Sequence, residues 1–62
     1  MTSNWIIIKN GKMNRVTETE AKALIQQMKD NGANQIYEDN GEDEYYATAF
    51  RYNGEYIQIR ED

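Results

Sequence analysis

Apolar positions along the chain follow three patterns. Trp5, Ile6, Ile7 and Ile8 form a short continuous run with three consecutive β-branched residues, the signature of a strand over Trp5–Lys9. Ala21, Leu24, Ile25 and Met28 recur at i, i+3, i+4 and i+7, which places them on one face of a helix. Over 45–52 and 55–60, Tyr46, Thr48, Phe50, Ile57 and Ile59 alternate with small or polar residues, the period of half-buried strands. A shorter strand candidate at 35–38 carries Ile36 and Tyr37.

Turn residues divide these segments. Every glycine follows an asparagine: Asn10-Gly11, Asn31-Gly32, Asn40-Gly41 and Asn53-Gly54. Both residue types tolerate φ > 0, which a type I′ turn needs at its two central positions. Asn10-Gly11 and Asn53-Gly54 therefore predict two-residue hairpins. Loop length then sets register: Lys9 opposite Lys12, Ile8 opposite Met13, Ile7 opposite Asn14 and Trp5 opposite Val16. In the second hairpin Phe50 faces Ile57, Thr48 faces Ile59, Ala47 faces Arg60 and Arg51 faces Tyr56. Thr17 with Glu20 three residues on reads as a capping box, and Val16 with Ala21 as a hydrophobic staple. Asn31-Gly32 ends the helix.

The expected fold is α+β with the order ββαβββ, an antiparallel sheet with one helix packed on one face. The helix stripe meets Tyr46, Thr48, Phe50, Ile57 and Ile59. One helix covers one face of an antiparallel sheet, so Tyr45, Ala47, Ala49, Arg51, Tyr56, Gln58 and Arg60 are expected on an exposed second face. Trp5 is expected to close an edge of the core, Met13 and Met28 to fill gaps, and Tyr37, Tyr46 and Tyr52 to bring phenols to the core rim. Strand order is not written in these patterns.

Composition narrows the chemistry. At 62 residues the chain is one domain, of a size whose net stability is roughly 3–5 kcal/mol without staples. It has no cysteine and no histidine, hence no disulfide, no thiolate metal site and no imidazole base. No Gly-rich phosphate loop or G-x-S-x-G is present. A two-layer domain this small is expected to leave little room for a concave site of about 300 Å³. The reading is non-enzymatic, with no cofactor and no metal. The longest apolar run falls well short of the roughly 20 residues of a membrane span, and no signal peptide is evident. A cytoplasmic protein with no membrane partner is expected.

Charge is uneven. Eleven acids against seven bases give a net charge of −4. Five of the acids, Glu38, Asp39, Glu42, Asp43 and Glu44, crowd into residues 38–44. Held on a turn between strands, they would imitate the phosphate spacing of a nucleic acid and occupy the basic groove of a nucleic-acid-binding protein. Two plainer readings stand beside this one. The run could hold a hard cation weakly, although it lacks the D-x-[DN]-x-[DN]-G spacing, or it could be a solvated turn that blunts a strand edge. Next to it, Tyr45, Tyr56 and Arg51 are residue types enriched in binding hot spots. With Arg60 they could instead stack single-stranded bases, though no RNP-like segment is present. They could also simply pair across strands, Arg51 over Tyr56.

In size, charge and tyrosine content the chain resembles the small acidic single-domain proteins that phages and mobile elements encode to block host machinery. The functional expectation is an inhibitor or adaptor that binds another protein, one that is basic or itself binds nucleic acid. Glu38, Asp39, Glu42, Asp43 and Glu44 would supply charge, and Tyr45, Tyr56 and Arg51 the anchors. Direct nucleic-acid binding through the Tyr/Arg face is the alternative, and a structural homodimer a third.

Overall fold

Two Asn-Gly turns set the sheet. In the computed structural model, which describes residues 4–41 and 45–62, β1 (Trp5–Lys9) returns as β2 (Lys12–Val16). Asn10 and Gly11 both have positive φ, 53° and 76°. β4 (Ala47–Tyr52) returns as β5 (Glu55–Glu61) through Asn53 and Gly54, at 52° and 77°. Both registers are those the loop lengths dictate, from Trp5 opposite Val16 to Phe50 opposite Ile57. Between the hairpins lie α1 (Glu18–Asp30) and β3 (Asn34–Asp39). The ββαβββ chain makes one antiparallel sheet of order β2-β1-β5-β4-β3, with the single helix on one face.

β1 and β5 join the hairpins, pairing Ile7 with Ile59 and Lys9 with Ile57. The two turns meet through Glu55, which accepts the Asn10 side-chain amide at 3.1 Å and lies 3.7 Å from the Lys9 ammonium. That carboxylate offsets the facing Lys9 and Lys12.

Both ends of α1 are satisfied by local chemistry. Thr17 Oγ1 accepts the Glu20 backbone N–H at 3.1 Å, and Glu20 accepts the Thr17 backbone N–H at 3.0 Å. At the other end Ala33 N–H reaches the Met28 carbonyl and Gly32 N–H the Lys29 carbonyl. That pair is a Schellman closure, with Gly32 at φ 78°. Thr17→Ala is expected to cost about 1 kcal/mol, read as a lower urea midpoint at unchanged slope. The bonds from Thr17 also hold the Glu20 carboxyl below its ordinary pKa. The folded chain thus releases this proton more readily than the unfolded one. The stabilisation is present above the unfolded pKa near 4.5 and is lost as pH falls through the lower folded value. Thr17→Ala keeps the backbone N–H and removes only the hydroxyl's share of this effect, so its stability gap to wild type should narrow slightly in acid; an unchanged gap would mean that the hydroxyl does not bond the carboxylate.

The core lies between α1 and the covered sheet face. Ala21, Ile25 and Met28 pack on Trp5, Phe50, Ile57 and Ile59, with Ile7, Val16, Leu24, Tyr46 and Tyr52 around them. Two placements depart from the sequence reading. Met13 is 60% exposed rather than a gap-filler, because β2 is an edge strand and Met13 points with Ile8 to the helix-free side. Tyr37 does not reach the core rim. β3 bulges between Gln35 and Tyr37, so Gln35 faces Phe50 while Tyr37, not Ile36, faces Ala49. One extra residue moves Tyr37 to the other side of the sheet.

Candidate functional site

The helix-free face is where the chain concentrates its unusual surface. Strand registers arrange it in rows. Tyr37, Ala49, Gln58, Ile8 and Met13 run across all five strands, and Asp39, Ala47, Arg60, Ile6 and Arg15 form the adjacent row. Arg51 and Tyr56 stand beyond the first. All three arginines of the sequence are thus on this face. So are Met13, Tyr37 and Tyr56, three of the large apolar side chains that remain exposed. Ile36 sits at the bulge, and Tyr45, 65% exposed, lies just before β4.

Small residues under large ones shape the surface. The Tyr37 hydroxyl accepts a hydrogen bond from the Gln58 side-chain amide at 2.9 Å, reaching from β3 to β5 across β4. Ala49 lies beneath that bridge and is completely buried, not exposed as its alternation implied. Ile6, between Arg15 and Arg60 in register, is only 2% exposed. The Arg51 guanidinium lies 5.9 Å from the Tyr56 ring centroid. Arg15 pairs with Asp62 at 3.2 Å, whereas Arg60 has no hydrogen-bond or ion-pair partner among the described residues. With Asp39 and Asp62 set against three arginines, the face carries a net charge of about +1.

Thr48 fixes the β3 edge from the opposite side. It is fully buried. Its hydroxyl donates to the Tyr37 carbonyl at 2.7 Å and accepts from the Gln35 amide at 2.8 Å. The two residues that flank the bulge are therefore tied to one side chain of β4.

Of the acidic run, Glu38 and Asp39 are described; Glu42, Asp43 and Glu44 lie outside the described residues. Glu38 accepts the Tyr46 hydroxyl at 2.6 Å, and Asp39 accepts the Gly41 backbone N–H at 3.0 Å. Neither bond removes a charge, and neither carboxylate forms an ion pair among the described residues. Burial, then the bond to Glu38, pushes the Tyr46 phenol up to about 12, so it stays a donor. Tyr45, Tyr56 and Arg51 are not gathered into one point: Arg51 and Tyr56 touch, while Tyr45 stands at the far end of β4.

A concave feature lies on the helix side. A cleft of about 410 Å³ opens between α1 and the ends of β1 and β5, larger than the length of the chain suggested. Trp5, Ile25 and Tyr46 wall it, and Glu18, Lys22, Gln26 and Glu61 ring it. The Trp5 and Tyr46 rings are tilted at 47° with centroids 5.8 Å apart. The Trp5 indole N–H is buried without an acceptor among the described residues, a state that costs about 1–3 kcal/mol.

Arg15, Tyr37 and Met13 were missed as surface residues by sequence reasoning. Arg15 and Met13 could have been found from the first hairpin's register, which already put them on the Ile6–Ile8 side. Tyr37 could not, since nothing in 34–39 marks a bulge. No group of acidic residues among those described is arranged to hold a metal ion, and no described helix is long and apolar enough to cross a membrane. No protein-family model, curated protein or solved structure matches this chain.

Proposed function

We propose that this protein is a non-enzymatic module that binds another protein through the helix-free face of its sheet. The observation that carries this reading is the segregation of residue types. Every arginine and most of the exposed large apolar side chains share one face, which no element of the described chain covers. Tyrosine and arginine are the residues that anchor protein interfaces. Small Ala47 and Ala49 beside Tyr37 and Arg51 give that face relief.

Charge supports a protein partner over a nucleic acid. Duplex binders commonly neutralise about 6–10 phosphates. A face of about +1, with Arg15 already engaged by Asp62, falls far below that. Apolar anchoring with a few directional arginine contacts is the better fit. The acidic run adds a second contact to the same reading: its described carboxylates accept hydrogen bonds but form no ion pair among the described residues, so residues 38–44 would meet a basic rim on the partner. An inhibitor of a nucleic-acid-binding protein, acting in the cytoplasm, is the specific form we favour.

The test is affinity for a partner identified by capture and then purified. Arg51→Ala combined with Tyr56→Ala should weaken binding by about tenfold or more, whereas Lys29→Ala on the helix should not. Reversing Glu38, Asp39 and Glu42 to lysine should slow association and flatten its salt dependence. Equal affinity of the face double variant and wild type would end the proposal. Oligonucleotide binding at physiological salt, or a concentration-dependent dimer mass by ultracentrifugation, would replace it with the nucleic-acid or homodimer reading.

A further inference from the structure

The two edges of the sheet are not alike. β3 is bulged between Gln35 and Tyr37 and carries Glu38 and Asp39, two devices that discourage a further strand. β2 has neither. It pairs residue for residue with β1, from Trp5 opposite Val16 to Lys9 opposite Lys12. It lies at the end of the strand order, and Lys12, Met13, Asn14 and Arg15 are all exposed. The Asn10-Gly11 turn fixes which of its backbone groups are free. A two-residue loop makes Lys9 and Lys12 a hydrogen-bonded pair, and alternation makes Ile7–Asn14 and Trp5–Val16 the next two. The N–H and C=O groups of Met13 and Arg15 therefore point away from β1, and no described strand meets them. Side chains along this edge are cationic. Lys12 has no ion-pair partner among the described residues, and Arg15 bonds Asp62 through one guanidinium nitrogen, at 3.2 Å.

We propose that the free edge of β2 docks an extended acidic segment of another protein, which joins the sheet as an added antiparallel strand. The outward groups of Met13 and Arg15 supply the main-chain hydrogen bonds, and alternate side chains supply specificity. In an antiparallel register the incoming residues meet Val16, Arg15, Asn14, Met13 and Lys12 in that order. Acids fit opposite Arg15 and Lys12, apolar residues opposite Val16 and the exposed Met13, and threonine opposite Asn14. Charge disfavours the other strand this edge could take, the β2 of a second copy. Two such strands paired about Asn14 would gather two Lys12 and two Arg15 side chains into one joint, with Asp62 offsetting only the arginines. An acidic segment offsets both kinds. Met13 and Arg15 also border the helix-free face, but this contact runs through the backbone of β2 and stands without the role proposed for that face.

The probe is the acetylated, amidated pentapeptide Val-Glu-Thr-Val-Glu, titrated into the isotope-labelled full chain and followed by amide resonances. Saturable binding with a dissociation constant of about 1 mM is expected, with the Met13 and Arg15 amides shifting most and those of β3 unmoved. Glu-Val-Thr-Glu-Val, of the same composition but with charge and apolar positions exchanged, should bind about fivefold or more weakly, as should Val-Lys-Thr-Val-Lys. Met13→Pro deletes an outward donor and no bond to β1. It should bind the probe more weakly than Met13→Ala, which loses the same side chain and keeps the donor. The Lys12→Glu, Arg15→Glu double variant leaves the backbone intact and should reverse the preference toward the lysine peptide. The Arg51→Ala, Tyr56→Ala double variant should bind the probe as wild type does, so this contact and the face are tested apart. Equal affinity for the three peptides, no saturable shift up to the solubility limit, shifts centred on β3, or a dimer of the free protein that protects the Met13 and Arg15 amides would overturn the proposal.

Discussion

Phe50→Ala is expected to leave the chain mostly unfolded at 25 °C. Phe50 is completely buried and sits in the core cluster with Ile57, Ile59, Ile25 and Met28. In register it faces Ile57 on β5 and Gln35 on β3, so its ring is shared by three strands and the helix. Truncating a buried phenylalanine costs about 3–5 kcal/mol in lost transfer energy and residual cavity. A domain of this length has roughly the same amount in total, and here there is no disulfide to hold the remainder. Phe50→Leu, which keeps most of the volume, should cost much less and still unfold cooperatively. Urea titrations followed by far-UV circular dichroism and by Trp5 emission measure both. A native-like midpoint for Phe50→Ala would mean that the sheet is held from outside this cluster, and the packing account would fail.

The contrast between what was legible and what was not has a physical origin. Short-range rules acted where the chain itself closes the geometry. Asn10-Gly11 and Asn53-Gly54 fix two-residue loops, and a loop of that length leaves only one register, so Trp5 to Val16 and Ala47 to Arg60 pair as expected. Thr17 and Glu20, three residues apart, cap their helix for the same reason. The β1–β5 junction obeys no local rule. It brings Ile7 to Ile59 across most of the chain, and only the matching of two apolar strand faces selects it. Alternation also misjudged burial on the helix-free side. Ala49 looks like an outward position, yet it is buried beneath longer side chains from neighbouring strands, a consequence of strand order. Of the candidate interface, the Arg51–Tyr56 contact was readable because both residues lie in one hairpin. Arg15 joined them only once β1 was known to sit beside β5.

Thr48→Val is expected to loosen β3 and to weaken binding at a face that Thr48 does not touch. The substitution keeps shape and burial but removes a hydroxyl that makes two bonds. The Tyr37 carbonyl loses its 2.7 Å donor and the Gln35 amide its 2.8 Å acceptor. Leaving such groups unmet costs about 1–3 kcal/mol, and the loss falls on an edge strand that already carries a bulge. Amides of residues 34–39 should exchange faster, while those of β1 and β5 should speed up only as far as the loss of global stability dictates. With β3 released, the Tyr37 hydroxyl would leave Gln58 and uncover Ala49, so the row that forms the middle of the proposed interface would lose its shape. Thr48→Ser retains the hydroxyl and should restore both protection and binding at a smaller cost from its missing methyl. If Thr48→Val kept β3 protected and bound the partner as wild type does, the bulge would be held by backbone pairing alone, and Tyr37 would not depend on the opposite side of the sheet for its position.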